Sequence, residues 1–75
     1  MQDRWRHEDS AAAVIARAMR SARRAEGLDR MHADGLALTP GVVGLVQRYA
    51  DGALRLRELV YLAHARAAGD ASSQR

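Results

Sequence analysis

Apolar residues at helical spacing, interrupted by two turn signals, are the feature that most restricts how this chain can fold. The first apolar seam recurs every three or four residues, and its members are Ala11, Ile15, Ala18, Met19 and Ala22. Asp9 or Ser10 is the expected N-cap, because a side-chain oxygen there accepts a free N–H of the first turn. Gly27 follows Glu26 directly and suits the position after a helix. We therefore predict a long first helix that ends near Glu26.

A threonine–proline pair predicts the start of a second helix. Thr39 supplies the N-cap oxygen, and Pro40 stands at the first helical position, where its missing N–H costs nothing. Gly44 either weakens this helix by about 1 kcal/mol relative to alanine or permits close approach of another helix. Asp51-Gly52 ends the second helix. The apolar face of this helix consists of Val42, Leu45, Val46 and Tyr49.

A third helix is predicted to begin near Leu54 or Arg55 and to run to about Ala68, where Gly69 stops it. Its buried stripe is Leu56, Leu59, Val60, Ala63 and Ala67. Because the connection between the second and third helices is short, these two should pack as an antiparallel pair. The expected fold class is all-α: a small three-helix domain with a long first helix followed by an antiparallel helix pair.

The expected domain organisation is one helical domain with loose ends. Residues 1–9 are predicted to be a flexible lead-in, residues 10–68 the domain, and residues 69–75 a disordered tail. Residues 28–33 either add a helical turn or two or form a loop, and Asp34-Gly35 is a turn signal.

Composition limits the possible functions. A chain of 75 residues makes at most one small domain, which is marginally stable without a partner. The absence of cysteine excludes disulfides and thiolate metal sites, and His32 has no second ligand at suitable spacing, so we expect neither metal nor cofactor. No apolar run approaches the length of a membrane span, and the charged N-terminus lacks the apolar centre of a signal peptide. We therefore expect a soluble, cytoplasmic protein without a membrane partner.

The sequence contains no recognisable catalytic pattern. It has no HExxH, no CxxC, no glycine-rich phosphate loop and no serine–histidine–aspartate set at a telling spacing. Three short helices also provide few walls for a substrate pocket. We therefore expect a binding module and not an enzyme.

An arginine stripe supports an alternative function. The net charge is +3, and Arg17, Arg20 and Arg24 lie on the side of the first helix opposite its apolar seam. Such a stripe is either a solvated face or a contact for phosphate or an acidic partner. The alternative is therefore a small DNA-binding or regulatory helical protein, although no helix-turn-helix spacing accompanies the stripe. A helical adaptor is the third possibility.

Three segments, in order, resemble the VbhA-type antitoxins, which are small inhibitors of Fic-domain toxins. They are Ser21–Leu28, Thr39-Pro40 and the run LVQRYADGAL over residues 45–54. The family pattern is a first helix ending in Ser/Thr-x-x-x-Glu-Gly, often followed by Leu, then a proline-containing turn, a helix resembling ERYxxG, and a third helix. The similarity covers roughly residues 11–67.

The resemblance implies that this chain binds a Fic-domain toxin and blocks the transfer of AMP from ATP to a protein hydroxyl. Glu26 would enter the toxin's nucleotide site and pair with an arginine that otherwise binds the γ-phosphate, while Gly27 ends the helix so that its tip fits the cleft. The surrounding residues would contact the toxin, namely Ile15, Met19, Ser21, Ala22 and Leu28. Antitoxins often also contact DNA, so nucleic acid is expected only as a secondary partner.

Two registers of this pattern are open. In the family, the Ser/Thr lies four residues before the glutamate. When Glu26 is the acid, that position is occupied by Ala22, and Ser21, one residue earlier, points about 100° away from it. In the second register Asp34 and Gly35 take the Glu-Gly positions directly before the proline turn, and Arg30 takes the Ser/Thr position. Aspartate is one methylene shorter than glutamate and reaches less far. Glu26 is therefore the first choice, and Asp34-Gly35 the alternative.

Overall fold

The computed structural model describes the backbone of residues 2–73 and the side chains of residues 11–71. This part of the chain forms three α-helices and no strand: α1 (Gln2–Ala33), α2 (Pro40–Ala50) and α3 (Leu56–Ser73). Both α2 and α3 pack against α1 and against each other. The predicted all-α class with a long first helix is confirmed. None of the described helices is long and apolar enough to cross a membrane.

The first helix is longer than predicted at both ends. It begins at Gln2, so the expected start at Asp9 or Ser10 is wrong, and residues 2–9 belong to the helix rather than preceding it. These residues include no glycine or proline, and a polar residue such as Asp9 within a helix costs only a few tenths of a kcal/mol to about 0.7 kcal/mol. The helix ends at Ala33, so residues 28–33 supply the further helical turns.

Gly27 lies inside α1, and the prediction that it ends the helix is wrong. It is buried where α1 meets the other two helices, and a Cβ atom built on it would lie 2.9 Å from Val46 Cγ1 and 3.3 Å from Leu59 Cδ2. The absence of a side chain lets the three helices approach closely, and this packing offsets the low helix propensity of glycine. Gly44, offered above as a close-approach residue, is exposed and has nothing within 4 Å of its Cβ position.

The core is built from the C-terminal half of α1 together with α2 and α3. Its buried members are Met31, Val42, Val46, Tyr49, Leu54, Leu59 and Ala63. The predicted apolar faces of α2 and α3 are represented here, but Met31 falls outside the predicted seam of α1. The seam residues Ile15 and Met19 take no part in the core, since they are 62% and 59% exposed.

The helix ends of α2 and α3 differ in how well local signals predict them. Thr39 caps α2 as predicted, because the Val42 N–H donates to Thr39 Oγ1 at 3.3 Å. The Arg55 N–H donates to Glu58 Oε1 at 3.0 Å and closes the start of α3. Gly69 does not stop α3, which continues to Ser73, so the prediction of a tail from residue 69 is wrong for residues 69–73. One exposed glycine costs a helix only about 1 kcal/mol.

Candidate partner-binding arm and acidic helix end

The N-terminal part of α1 projects from the packed helices as an arm, which we define as residues 11–25. Every side chain of the arm is exposed except that of Ala16, which is half-buried. The molecule is accordingly 62 Å long but only 19 by 16 Å across. Four of the residues predicted to contact a partner are exposed on this arm: Ile15, Met19, Ser21 and Ala22. The structure thus leaves them available for another molecule.

The arginine stripe also lies on the arm. Arg17, Arg20 and Arg24 are exposed, and the arm contains four arginines and no acidic residue. The guanidinium of the fourth, Arg23, lies 5.1 Å from the centre of the Tyr49 ring, a cation–π contact that links the base of the arm to α2.

Glu26 stands at the base of the arm, about two turns before the C-terminal end of α1 and not at the helix end. Its side chain is exposed, and its Oε1 accepts a hydrogen bond from the hydroxyl of Tyr49, which is buried on α2. The hydrogen bond to Glu26, and secondarily burial, raises the pKa of Tyr49. Sequence reasoning missed this contact and assigned Tyr49 only to the apolar face of α2. The carboxylate of Glu26 therefore already serves to join α1 to α2.

The two residues after Glu26 are used inside the fold. Gly27 is buried at the helix crossing described above, and Leu28 is half-buried against the core. Their predicted contact with a partner would require the helix crossing itself to open. The Glu-Gly-Leu segment, residues 26–28, therefore lies within α1 and does not form a free helix end.

Asp34 and Gly35 form the actual end of α1. The Asp34 N–H donates to the Arg30 carbonyl, and the Gly35 N–H to the His32 carbonyl, each at 3.0 Å. Gly35 has a φ of 75°, the left-handed conformation that commonly ends a helix and that glycine adopts without steric cost. The next residue, Leu36, packs against the core and fixes the tip. An acid, a glycine and a leucine thus stand at a helix end, in the alternative register.

Asp34 is held by two side chains, Arg30 of α1 and His64 of α3. Arg30 Nε lies 3.3 Å from Asp34 Oδ1 within α1, and His64 Nε2 on α3 hydrogen-bonds to Asp34 Oδ2 at 3.0 Å. The hydrogen bond to His64, followed by that to Arg30, lowers the pKa of Asp34 despite some desolvation. His64, predicted to be a boundary residue of α3, is exposed and in fact joins α3 to the end of α1. No sequence signal connects two residues that are thirty positions apart.

The lowered pKa of Asp34 predicts that its contribution to stability disappears in acid. Because the folded-state value lies below the ordinary 3.8, this contribution is complete above pH 3.8 and is lost as the pH falls through the folded-state pKa. Asp34→Asn removes the titrating group. We expect the wild-type melting temperature to fall more steeply than that of Asp34→Asn below about pH 4, as measured by circular dichroism. If the melting temperatures of the two proteins fell in parallel, the stability contribution assigned to the Asp34 carboxylate would be contradicted.

Among the described residues, no group of three or more histidines and acids could hold a metal ion. Comparisons with protein-family models, with curated proteins and with solved structures return no match to this chain.

Proposed function

We propose that this chain is an antitoxin that binds a Fic-domain enzyme and inhibits its transfer of AMP. One observation carries the proposal: α1 ends in Asp34 and Gly35, directly before the Thr39-Pro40 start of α2. An acid at a helix end, a glycine, a leucine, a proline turn and a second helix follow one another in the order of the family pattern. Of the two candidate acids, only Asp34 stands at the C-terminal end of α1.

The inhibitory acid in this proposal is Asp34, the alternative register of the sequence prediction. Glu26 is not at the tip that the family pattern requires, because α1 continues past it and buries Gly27. Arg30, at the position of the family's Ser/Thr, donates from Nε to Asp34 Oδ2 at 3.4 Å. A supporting hydrogen bond from four residues earlier, which the family obtains from a hydroxyl, is here supplied by a guanidinium.

Inhibition follows from the electrostatics of a carboxylate in a phosphate site. A carboxylate–guanidinium pair is strong where water is excluded, so Asp34 would occupy the arginine that the ATP γ-phosphate needs. AMP transfer depends mainly on positioning and charge stabilisation, and a misplaced triphosphate is enough to stop it. In the complex, Asp34 would exchange its contacts with Arg30 and His64 for a contact with the toxin's arginine.

Co-purification tests the proposal. We expect the gene beside this one to encode a protein with the Fic motif HxF(D/E)GNGRxxR, and the two proteins, expressed together with a tag on the enzyme, to elute as one complex. A fourfold excess of an unrelated helical protein of similar charge is the control for non-specific capture. A Fic-motif neighbour that elutes without this chain would contradict the proposal, as would the absence of any such neighbour.

A further inference from the structure

We infer that the arm, residues 11–25 of α1, is a preformed docking helix that binds an apolar groove with an acidic rim on the Fic-domain partner. This inference rests on the proposed function and deepens it, because it separates the surface that provides affinity from the acid that inhibits. The arm and Asp34 lie on different parts of α1, so each can be changed without changing the other.

The apolar stripe of the arm has no partner within the described chain. Val14, Ile15 and Met19 are 63%, 62% and 59% exposed. With about 100° per residue, these three side chains lie within an arc of about 140° on one side of the helix. The intervening positions on this side are alanines, which allow another surface to approach closely. Ile15 and Met19 have the i, i+4 spacing of anchors on a helix bound in a groove, and Val14 widens the same apolar stripe.

The arm is helical before it binds. Of its fifteen residues, seven are alanine and four are arginine, both strong helix formers. Its C-terminal end continues into the part of α1 that Gly27 locks against α2 and α3. A partner therefore receives an already ordered helix, and binding does not incur the entropy cost of folding it.

The charge of the arm identifies the chemistry of its partner. The arm has four arginines and no acid, and Arg17 and Arg23 flank the apolar stripe at about 60° from Val14 and about 40° from Met19. The guanidinium of Arg23 already lies over the Tyr49 ring. A groove that receives the stripe therefore brings one rim to the exposed Arg17, and an acidic rim matches it. A second copy of this chain is a poor occupant, because two arms side by side would oppose cations with cations.

Two matched substitutions test the inference with the co-expressed Fic-domain protein. Ile15→Asp introduces a charge into the stripe, whereas Ala13→Asp introduces the same charge on an exposed position of the arm about 160° away. We expect Ile15→Asp to raise the dissociation constant, measured by calorimetry, on the order of thirtyfold or more, and Ala13→Asp to change it less than about threefold. Arg17→Glu should slow association about tenfold at low salt and less at high salt.

The outcomes separate this inference from the proposed function. If the wild-type chain binds and inhibits the enzyme but Ile15→Asp and Ala13→Asp bind equally, the inference is overturned and the proposed function stands. If Ile15→Asp alone weakens binding while Asp34→Asn still inhibits, the inference stands and the assignment of the acid is wrong. A wild-type chain that fails to bind the enzyme, and instead binds duplex DNA or forms dimers in sedimentation, overturns both.

Discussion

Replacing Asp34 by asparagine should release the enzyme from inhibition while the complex remains assembled. The substitution keeps the shape of the side chain but removes the charge that would pair with the toxin's arginine. A hydrogen bond to a charged group contributes about 1.5–3 kcal/mol, so we expect AMP transfer in the complex to rise roughly tenfold to a hundredfold. The measurement is incorporation of labelled AMP into a protein substrate by the purified complex, with the elution volume of the complex recorded alongside.

Two control variants make this result specific. Glu26→Gln removes the carboxylate that accepts from Tyr49 and should leave inhibition intact. His64→Gln removes the imidazole that hydrogen-bonds to Asp34 from α3 but keeps the carboxylate, so this variant should also inhibit the enzyme. Release by His64→Gln would mean that the packing of the helix end, and not its charge, inhibits the enzyme. If only Glu26→Gln relieved the inhibition, Glu26 would be the inhibitory acid, as in the first-choice register.

Replacing Gly27 by valine should strongly destabilise the packed helices. Its Cβ would lie 2.9 Å from Val46 Cγ1, and the two further methyl groups need space that three close helices do not provide. Overpacking of this kind costs typically 1–3 kcal/mol. In a domain of this size we expect the melting temperature to fall by at least about 4 °C, measured by circular dichroism with reversibility checked on cooling.

Gly44→Ala is the matched control for this substitution. Gly44 lies in α2 with nothing within 4 Å of its Cβ position, so alanine meets no obstacle there. The better helix propensity of alanine should raise stability by up to about 1 kcal/mol. If Gly44→Ala lowered the melting temperature, or Gly27→Val raised it, the assignment of Gly27 as the close-approach residue would be contradicted.

The fold was predictable where short-range signals decide it. Thr39 and Pro40 start α2 because a side-chain cap and a fixed φ act within one turn, and Gly35 ends α1 because only the local backbone is involved. Gly27 and Gly69 gave the wrong helix ends. Gly27 is retained in the helix by contacts with residues far along the chain, and such tertiary packing overrides local propensity.

The candidate site was predictable only in part, for a related reason. The sequence named both acids, Ile15 and Met19 as candidates, since periodicity and motif order are local properties, but it missed Val14, which is equally exposed. The partners of the two acids could not be read from it, because Tyr49 is 23 residues from Glu26 and His64 is 30 residues from Asp34. These contacts exist only once the three helices have packed.

The most direct test of the antitoxin function is a titration of the enzyme with this chain. The initial rate of AMP transfer by the neighbouring Fic-domain protein is measured at fixed ATP while the purified chain is added. We predict a linear fall to background that is complete at one equivalent, as expected for a tight one-to-one inhibitor. An unchanged rate at a tenfold excess of correctly folded chain would contradict the proposal.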